Sequence, residues 1–334
     1  MPASGLMPKI ASRWVVLGGI FSLSVLFLLL RPVGPVNSAS PRQAANSASQ
    51  VAAFYSAASF WNTPIAPHAA IDRNSAGMVS YALSACASNA VLANDDAWGM
   101  GYVYAGPESK LYTIACTTYC AGDTIVFPIP DGALPSTGSD HHLAVIKGSQ
   151  ELDMWEASYD RKADRWSAGS RTVTSITGWG ANCGEREHCG GAVAAGFAML
   201  GGSIRPEEIA QGHIDHALAL NTPATKSGYI ACPATNTDGA SDNPDAIPQG
   251  ARVQLDPAFD VDGQAWPAWE KTVAKALQTY GAYVVDTSGV LALYAVSDVN
   301  PGNISWSSVG MSKAPSLANL PWSRFRVLQI RSCN

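Results

Sequence analysis

Three acidic side chains crowd one short stretch of the sequence. Glu151, Asp153 and Glu156 lie in the segment ELDMWEA, with Trp155 directly before the last of them. If the segment forms a strand, side chains alternate between its two faces, so Glu151, Asp153 and Trp155 share one face. The apolar residues between them then point into a core. Carboxyl groups gathered beside an aromatic ring are typical of a site that acts on sugars.

A pair of carboxyl groups on one face can hydrolyse a glycosidic bond. In retaining glycosidases the two groups are about 5 to 5.5 Å apart, and the charge of one raises the pKa of the other, which then supplies the acid. A regular strand turns Glu156 into the core, where an unpaired carboxylate is costly. We therefore expect a β-bulge near Met154 and Trp155 that returns Glu156 to the acidic face.

The segment ELDMWE resembles the E-x-D-x-x-E signature of family 16 glycoside hydrolases, the laminarinase and lichenase group. The resemblance implies a secreted jelly roll that carries the motif on a bulged strand. It also implies that Glu151 is the nucleophile, that Asp153 tunes the pair and that Glu156 is the acid/base.

A second resemblance extends over most of the chain. The segments SFWNTPI, GGSIRPEEIAQGHIDHALAL, PATNTDG and GARVQLDP look like those of an uncharacterised secreted bacterial protein family. Asp153 and Trp155 match the pattern of that family, whereas Glu156 need not. This resemblance leaves Asp140 and Asp153, on adjacent strands, as an alternative acid pair.

Histidines concentrate in two short motifs, Asp140-His141-His142 and His213-Ile214-Asp215-His216. Histidine is a general acid or base and a common metal ligand, so the two motifs together can form a metal centre or a lyase site. In a lyase His142 is the base, and Arg205 or Arg252 holds the uronate carboxylate. The alternation in HALAL also allows His216 to be a buried, hydrogen-bonded residue. We expect no metal and no cofactor.

Aromatic and acidic loop residues are the remaining candidates for binding. The sequence holds ten tryptophans, and Trp155, Trp166 and Trp179 lie close enough along the chain to line a sugar cleft. The same pattern serves a non-catalytic carbohydrate-binding module. The segment NTDGASDNPD lacks the spacing of an EF-hand, so we expect an Asx-rich turn there. No G-x-S-x-G motif supports a serine hydrolase.

Short strands between turns must position these residues. Segment 141–176 is typical of a three-stranded meander with turns at KGSQ and DRKAD, and segment 281–296 predicts a hairpin around DTSG. PEEIAQG and PAWEKTVAKALQTYG each begin at proline and end at glycine, which predicts two helices. The fold class is therefore mainly β, a β-sandwich or jelly roll with a few short helices.

The N-terminal residues indicate export. An apolar run at 14–30 between basic residues predicts a signal peptide or signal anchor over 1–30, followed by a flexible linker over 31–55. Residues 56–334 then form a single β-rich catalytic domain that is secreted or membrane-anchored outside the cytoplasm, with a possible membrane tether through the N-terminal segment. A net charge of −5 without a Lys/Arg cluster argues against nucleic acid as a partner.

Export also bears on the oxidation state expected for the seven cysteines. In an oxidising compartment they predict disulfides with one thiol left over. The short spacings favour a Cys116–Cys120 and a Cys183–Cys189 bridge, and Cys232 with Cys333 can secure the C-terminal tail.

These observations favour a secreted carbohydrate-active enzyme, a glycoside hydrolase that cleaves β-glycosidic bonds in a polysaccharide by a carboxylate-pair mechanism. A polysaccharide lyase with a His base and an Arg clamp is the alternative enzyme. A non-catalytic carbohydrate-binding surface module is the alternative from another class.

Overall fold

The computed structural model describes residues 51–120, 124–181 and 192–332. This part of the chain is mainly β with a few short helices, as the sequence predicts. The helices are α1 (Ser75–Ser84), α2 (Pro206–Gln211) and α3 (Ala268–Thr279), and single 3-10 turns lie at Trp306–Val309 and Trp322–Arg324. The strands are β1 (Val91–Ala93), β2 (Gly101–Tyr104), β3 (Lys110–Cys116), β4 (Ile125–Ile129), β5 (Leu143–Lys147), β6 (Gln150–Trp155), β7 (Ser158–Asp160), β8 (Arg165–Ala168), β9 (Ser170–Ser175), β10 (Leu218–Thr222), β11 (Arg252–Leu255), β12 (Ala282–Thr287), β13 (Ala292–Tyr294) and β14 (Phe325–Val327).

The strands form three sheets. A six-stranded sheet has the order β1-β13-β10-β12-β11-β14, and two four-stranded sheets have the orders β2-β5-β6-β9 and β4-β3-β8-β7. In the six-stranded sheet β10 and β12 run parallel, while β13 runs antiparallel to β10. Stacked sheets with short connections fit a β-sandwich, and the jelly-roll topology stays a prediction.

Two hydrophobic cores follow from the alternation of the strands. Leu152 and Met154 of β6 are fully buried and join the smaller core, together with apolar residues of β3, β4, β5 and β8. This core lies where the two four-stranded sheets face each other. The larger core contains the six-stranded sheet, α1, α3 and the opposite face of β2 and β5. The sheet that carries β6 is thus covered on both faces.

The meander predicted over 141–176 is wrong in its strand count. The turn at KGSQ does join β5 to β6, and the turn at DRKAD does join β7 to β8. However, β7 and β8 leave the sheet of β6 and pair beside β3, and β9 then returns to pair with β6. Sequence alternation marks each strand but does not reveal which sheet it joins.

The hairpin predicted around DTSG is also wrong. The strands β12 and β13 both belong to the six-stranded sheet, but β10 lies between them and pairs with each. A strand from a distant part of the chain therefore separates two strands that are neighbours in sequence. Local turn residues cannot reveal such an insertion.

The two helices predicted from the sequence are confirmed as α2 and α3, whereas α1 was not predicted. Pro206 opens α2, and Gly212 ends it in a left-handed conformation. In α3 the apolar stripe of Val273, Ala276 and Leu277 is buried. The segment SAGMVSYALS forms α1 without a side-chain cap and with a mixture of small and apolar residues around its axis, so its periodicity is weak.

The first described residues are bound to the domain, although they were predicted as the end of a linker. The Val51 amide donates to the Gln211 side chain at 3.2 Å, and Arg205 donates to the carbonyl oxygen of Ala52 at 2.9 Å. The Tyr55 hydroxyl donates to Glu151 at 2.8 Å. Segment 51–55 therefore behaves as part of the folded unit.

The disulfide prediction is confirmed for one pair. Cys116 and Cys120 are bonded, with Cα atoms 5.5 Å apart, and Cys232 is also disulfide-bonded. Its predicted partner Cys333 lies outside the described residues, as do Cys183 and Cys189. Cys86 carries a free thiol. Within the described residues, no helix has both the length and the apolar character needed to cross a bilayer.

Candidate functional site

One face of the sheet β2-β5-β6-β9 carries the predicted acidic residues. Glu151 lies opposite Thr174, and Asp153 lies opposite Thr172, on the neighbouring strand β9. Trp155 follows on the same face, as the alternation predicted. This face is turned toward the larger core, so the acids lie at an interface between layers rather than on an open surface.

Glu151 and Asp153 have no solvent exposure. Glu151 accepts hydrogen bonds from the Leu200 amide at 3.0 Å and from the Tyr55 hydroxyl at 2.8 Å. Asp153 accepts one from the Met199 amide at 2.9 Å. These bonds tie the segment around 199–200 and the N-terminal segment to the middle of the sheet.

The two buried acids resist ionisation. Burial raises the pKa of both carboxyl groups, and the charge of Glu151 raises that of Asp153 further. The Oδ1 atom of Asp153 is buried and has no hydrogen-bond donor from other described groups. A proton held between the two carboxyl groups would supply that donor.

The bulge predicted near Met154 and Trp155 is absent. The pairing of β6 with β5 and with β9 continues without a register shift through Trp155. Glu156 instead follows the strand with a left-handed backbone at φ 52°, and its amide donates to the carbonyl oxygen of Asp140. Glu156 is half-buried beside Gly169, and the acidic face ends before it.

Asp140 is separated from Asp153 and faces another group of side chains. It lies in the turn before β5 and not on a strand, and its carboxylate accepts a long hydrogen bond from Trp155 Nε1 at 3.4 Å. Its charge acts on the pKa values of His142, Asp286 and Tyr294. The alternative pairing of Asp140 with Asp153 therefore has no support in the structure.

A cluster of polar residues surrounds Asp286, and we name it the Asp286 cluster; its members are Asp140, His142, Asn221, Asp286 and Tyr294. The register of β10 against β12 shifts after Leu220, so that Asn221 pairs with Asp286. This bulge places the two side chains on one face near the carboxyl ends of two parallel strands, where ligands commonly bind in mixed and parallel sheets.

Tyr294 and His142 complete the floor of the cluster. The Tyr294 hydroxyl donates to Asp286 Oδ2 at 3.5 Å, and the Asn221 side chain donates to the Tyr294 oxygen. The His142 ring meets the Tyr294 ring edge-on, with centroids 6.2 Å apart. Because His142 and Tyr294 come from different sheets, the cluster bridges two layers of the fold.

Burial sets the protonation of the cluster. It raises the pKa of Asp286 to about 7, and the charges of Asp238 and Asp140 act in the same direction. Burial also lowers the pKa of His142 to about 4, so this imidazole is neutral near pH 7. Asp286 is set deep among its neighbours yet keeps a solvent-exposed fraction.

Aromatic rings lie beside Asp140. The Tyr119 and Trp155 rings are 5.7 Å apart and tilted by 35°. Tyr119 is largely exposed, and its amide donates to the carbonyl oxygen of Gly169. The Cys116–Cys120 disulfide closes the loop that holds Tyr119 in this position. The pair offers an aromatic surface at the edge of the cluster.

The tryptophans predicted as sugar platforms have different environments. Trp166 is buried in the smaller core and stacks on Tyr159, so a sugar cannot reach its face. Trp179 is half-exposed and contacts Phe60 through its ring edge. Trp155 is the one of the three that contacts a residue of the Asp286 cluster through a hydrogen bond.

His216 and the two candidate arginines hold structural positions. His216 is buried and bonds Glu208 at 3.0 Å, and Arg205 bonds the same carboxylate at 2.7 Å. Although burial opposes ionisation, His216 and Arg205 together hold the pKa of Glu208 at about 2. Arg252 donates to the carbonyl oxygens of Tyr280 and Thr63, remote in the fold from the loop of Asp140.

The metal centre that the two histidine motifs could form together is not assembled by the described residues. His213 is exposed and pairs with Asp215, whereas His142 lies in the Asp286 cluster. Among residues 51–120, 124–181 and 192–332, no group of three or more His, Cys, Asp or Glu side chains is arranged to hold a metal ion. In the NTDGASDNPD segment, Asp238 accepts from Gln249 and Thr287, as expected for a turn-rich loop.

The sequence alone does not predict Asp286, Asn221 and Tyr294 as site residues. Each lies in or at the end of a short apolar strand, and their meeting depends on the insertion of β10 between β12 and β13. The available signal was an acid at the end of the apolar run AYVVD.

Comparison with known proteins adds no further constraint. No family model, no curated protein and no solved structure matches the chain. The function must therefore be inferred from the geometry and chemistry of the sites themselves.

Proposed function

We propose that the protein is a carbohydrate-active hydrolase that cleaves β-glycosidic bonds in a polysaccharide, with Asp286 and Asp140 as the reacting carboxyl groups. The observation that carries this proposal is the deeply set Asp286 carboxyl group, which accepts a hydrogen bond from Tyr294 and lies within range of the charge of Asp140. Asp140 in turn accepts a hydrogen bond from Trp155 of the Trp155–Tyr119 aromatic pair. Glycosidases need a protonated acid, an ionised carboxylate and a surface on which a sugar can stack.

The two carboxyl groups have distinct roles in this proposal. Asp286 keeps its proton near neutral pH and donates it to the glycosidic oxygen as the bond from that oxygen to the anomeric carbon breaks. Asp140 is the second carboxylate, which acts at the anomeric carbon or on the water that attacks it. Water adds a hydroxyl group to the sugar, and its proton restores the acid. Tyr294 holds the Asp286 carboxyl group in place.

The roles that the family 16 resemblance implies have no support from these contacts. A nucleophile must touch the anomeric carbon, but Glu151 has no solvent exposure and is enclosed by Tyr55 and Leu200. Glu151 and Asp153 instead connect the layers behind the proposed site. Glu156 lies next to Trp155 and can contact a bound sugar at the edge of the cluster.

The Asp286 cluster contains a base for a lyase, but it lacks the cation that a lyase needs to hold the uronate carboxylate. His142 is neutral near pH 7 and could accept a proton. A lyase also needs a cation to hold the uronate carboxylate, and both candidate arginines are engaged elsewhere, Arg205 with Glu208 and Arg252 with Tyr280. The hydrolase is therefore the better fit.

The experiment is a polysaccharide panel with the chain from residue 51. The protein is incubated with β-glucans, mannans, xylans, galactans and polyuronates, and reducing ends are measured together with ultraviolet absorbance. We expect new reducing ends without an absorbing product, and a loss of at least about 100-fold in rate for Asp286→Asn and for Asp140→Asn, which is the usual weight of a general acid or base.

Asp131→Asn is the matched control, because Asp131 is exposed and lies outside the Asp286 cluster. It should retain the full rate. If Glu151→Gln abolishes hydrolysis while Asp286→Asn retains it, the catalytic carboxyl groups would be Glu151 and Asp153 instead. An absorbing product that depends on His142 would establish a lyase instead. Binding of glycans without any new reducing ends would support the binding module.

A further inference from the structure

The Asp286 cluster offers hydrogen-bond acceptors in excess of donors. Asn221 is buried, and its Oδ1 atom has no hydrogen-bond partner among the described residues, while its amide nitrogen is directed to Tyr294. The carboxyl oxygens of Asp140 add further acceptor positions. A ligand that satisfies this site must therefore bring hydrogen-bond donors.

The charges around Asp286 have one sign. The two charged groups that act on it, Asp238 and Asp140, are both carboxylates. Asp238 is fixed in place by hydrogen bonds from Gln249 at 2.6 Å and from Thr287 at 3.1 Å, so its negative charge is held near the cluster. A ligand carboxylate that enters this cluster meets repulsion and finds few donors, whereas a hydroxyl or ammonium group finds acceptors.

We infer that the polysaccharide cleaved at the Asp286 cluster is built of neutral or amino sugars and carries no uronate at the residue where cleavage occurs. This inference rests on the proposed function and narrows its substrate class. Sugar hydroxyl groups, or an ammonium group at an amino sugar, pair with the carboxyl groups of Asp140 and Asp286, both of which keep a solvent-exposed fraction. A uronate places a fourth acidic group among Asp140, Asp238 and Asp286.

The test uses polymers that share a backbone and differ in charge. β-1,4-mannan is compared with β-1,4-mannuronan, and β-1,4-glucan with its C6-oxidised glucuronan and with chitosan. We expect rates on the neutral or amino-sugar members to exceed those on the matched uronate polymers by at least about tenfold. The preference should weaken in the Asp238→Asn variant, which removes one negative charge and leaves an isosteric amide, whereas Asp242→Asn at an exposed position should leave it unchanged.

The outcomes separate this inference from the proposed function. Faster hydrolysis of the uronate polymers, lost in Asp286→Asn, would overturn the inference and leave the hydrolase standing. A preference for neutral polymers that is identical in Asp238→Asn would also overturn the electrostatic argument. If no polymer is cut but oligosaccharide titrations followed by tryptophan fluorescence show tighter binding of the neutral members, the hydrolase fails and the charge argument holds.

Discussion

Asp286 keeps its proton to a higher pH than an exposed aspartate, because burial and the neighbouring carboxylates disfavour its charged form. The same shift affects folding. The unfolded chain ionises this group near its ordinary pKa of 3.8, whereas the folded protein resists ionisation up to about 7. Stability is therefore lost as the pH rises between these two values, and the loss is complete above the folded pKa.

The first prediction concerns Asp286→Asn. An amide cannot ionise, so the variant should avoid this loss and should be more stable than the wild type at pH 8, by on the order of 1–3 kcal/mol. At pH 4 the two proteins should differ little. Thermal unfolding of both proteins across this range measures the difference, and a stability gap that is the same at pH 4 and pH 8 would contradict the assignment. Gained stability with lost hydrolysis is the usual signature of a functional residue.

The second prediction concerns Asp153. Asp153→Asn keeps an oxygen to accept from the Met199 amide and an amide to donate to Glu151, so its free energy of unfolding at pH 6 should change by less than about 1 kcal/mol. Asp153→Ala leaves the buried Met199 amide without a partner and opens a cavity beside the buried Glu151 carboxyl group, so it should cost about 3 kcal/mol or more. Urea unfolding distinguishes them, and equal losses in both variants would argue against a shared proton.

At the scale of single residues the sequence reveals which side chains are chemically notable, but not their accessibility. The alternation of ELDMW correctly predicts the common face of Glu151, Asp153 and Trp155. That the face is covered by another layer depends on Tyr55 and on the 199–200 segment, which are distant in sequence. A pattern of six residues cannot predict that distant segments will bury this face of the strand.

Two glycines with similar positive φ angles differ in how closely neighbouring atoms approach them. Gly250 has φ 88° and lies against the carbonyl oxygen of Ala231, which a Cβ atom would approach to 1.8 Å. Gly212 ends α2 with φ 83° and has open space around it. Both positions favour glycine, but only the first also forbids a side chain.

The third prediction compares alanine at these two sites. Gly212→Ala should cost about 1 kcal/mol, the strain of a left-handed alanine. Gly250→Ala adds a collision with backbone and should cost more than about 3 kcal/mol. Thermal unfolding of the two variants measures the difference. Equal costs would mean that the segment around Ala231 can move aside.

The fourth prediction concerns the loop closed by Cys116 and Cys120. Replacing both cysteines by serine should weaken binding of oligosaccharides several-fold, because Tyr119 is then no longer held against Trp155. Tyr119→Ala should give a similar loss, and Tyr229→Ala, at another exposed tyrosine, should give none. Titration by tryptophan fluorescence provides the measurement. Unchanged affinity in the double serine variant would remove the loop from the proposed site.

Elements were predicted with unequal success for identifiable reasons. The helices α2 and α3 combine proline at the start, glycine at the end and, in α3, a clear apolar stripe, and each of these signals is local. The helix α1 lacks them. Strands were found from their alternation, but their partners were not, because pairing is decided by segments that are far apart in the chain.

Residues near the two ends of the described chain meet at one edge of the six-stranded sheet. The strand β14 forms the edge of the six-stranded sheet beside β11, and its Val327 amide donates to the Ser75 hydroxyl at 2.8 Å. Ile71 and Leu328 form a bridge just beyond. Residues near the start and the end of the described chain thus complete the same sheet and the larger core.

The fifth prediction removes this edge. A chain that ends at Arg324 loses β14 and leaves β11 as a bare, apolar edge strand, so it should be recovered mainly as aggregate. A chain that ends at Arg331 keeps β14 and is the matched control, since both truncations lack Cys333. Soluble yield and far-ultraviolet circular dichroism measure the outcome. Soluble, folded protein from the shorter chain would show that the sheet does not need this strand.

The attachment of segment 51–55 has a mechanical consequence. Its contacts with Gln211, Arg205 and Glu151 follow one another along the chain. Tension applied at Val51 therefore loads these contacts one at a time and peels the segment away under low force. Tension applied through β14 instead loads its register with β11 in shear, where several backbone hydrogen bonds must break together. The fold should thus resist pulling far better from its C-terminal strand than from its N-terminal segment, and the last of these N-terminal contacts to break is the hydrogen bond to the buried acid Glu151.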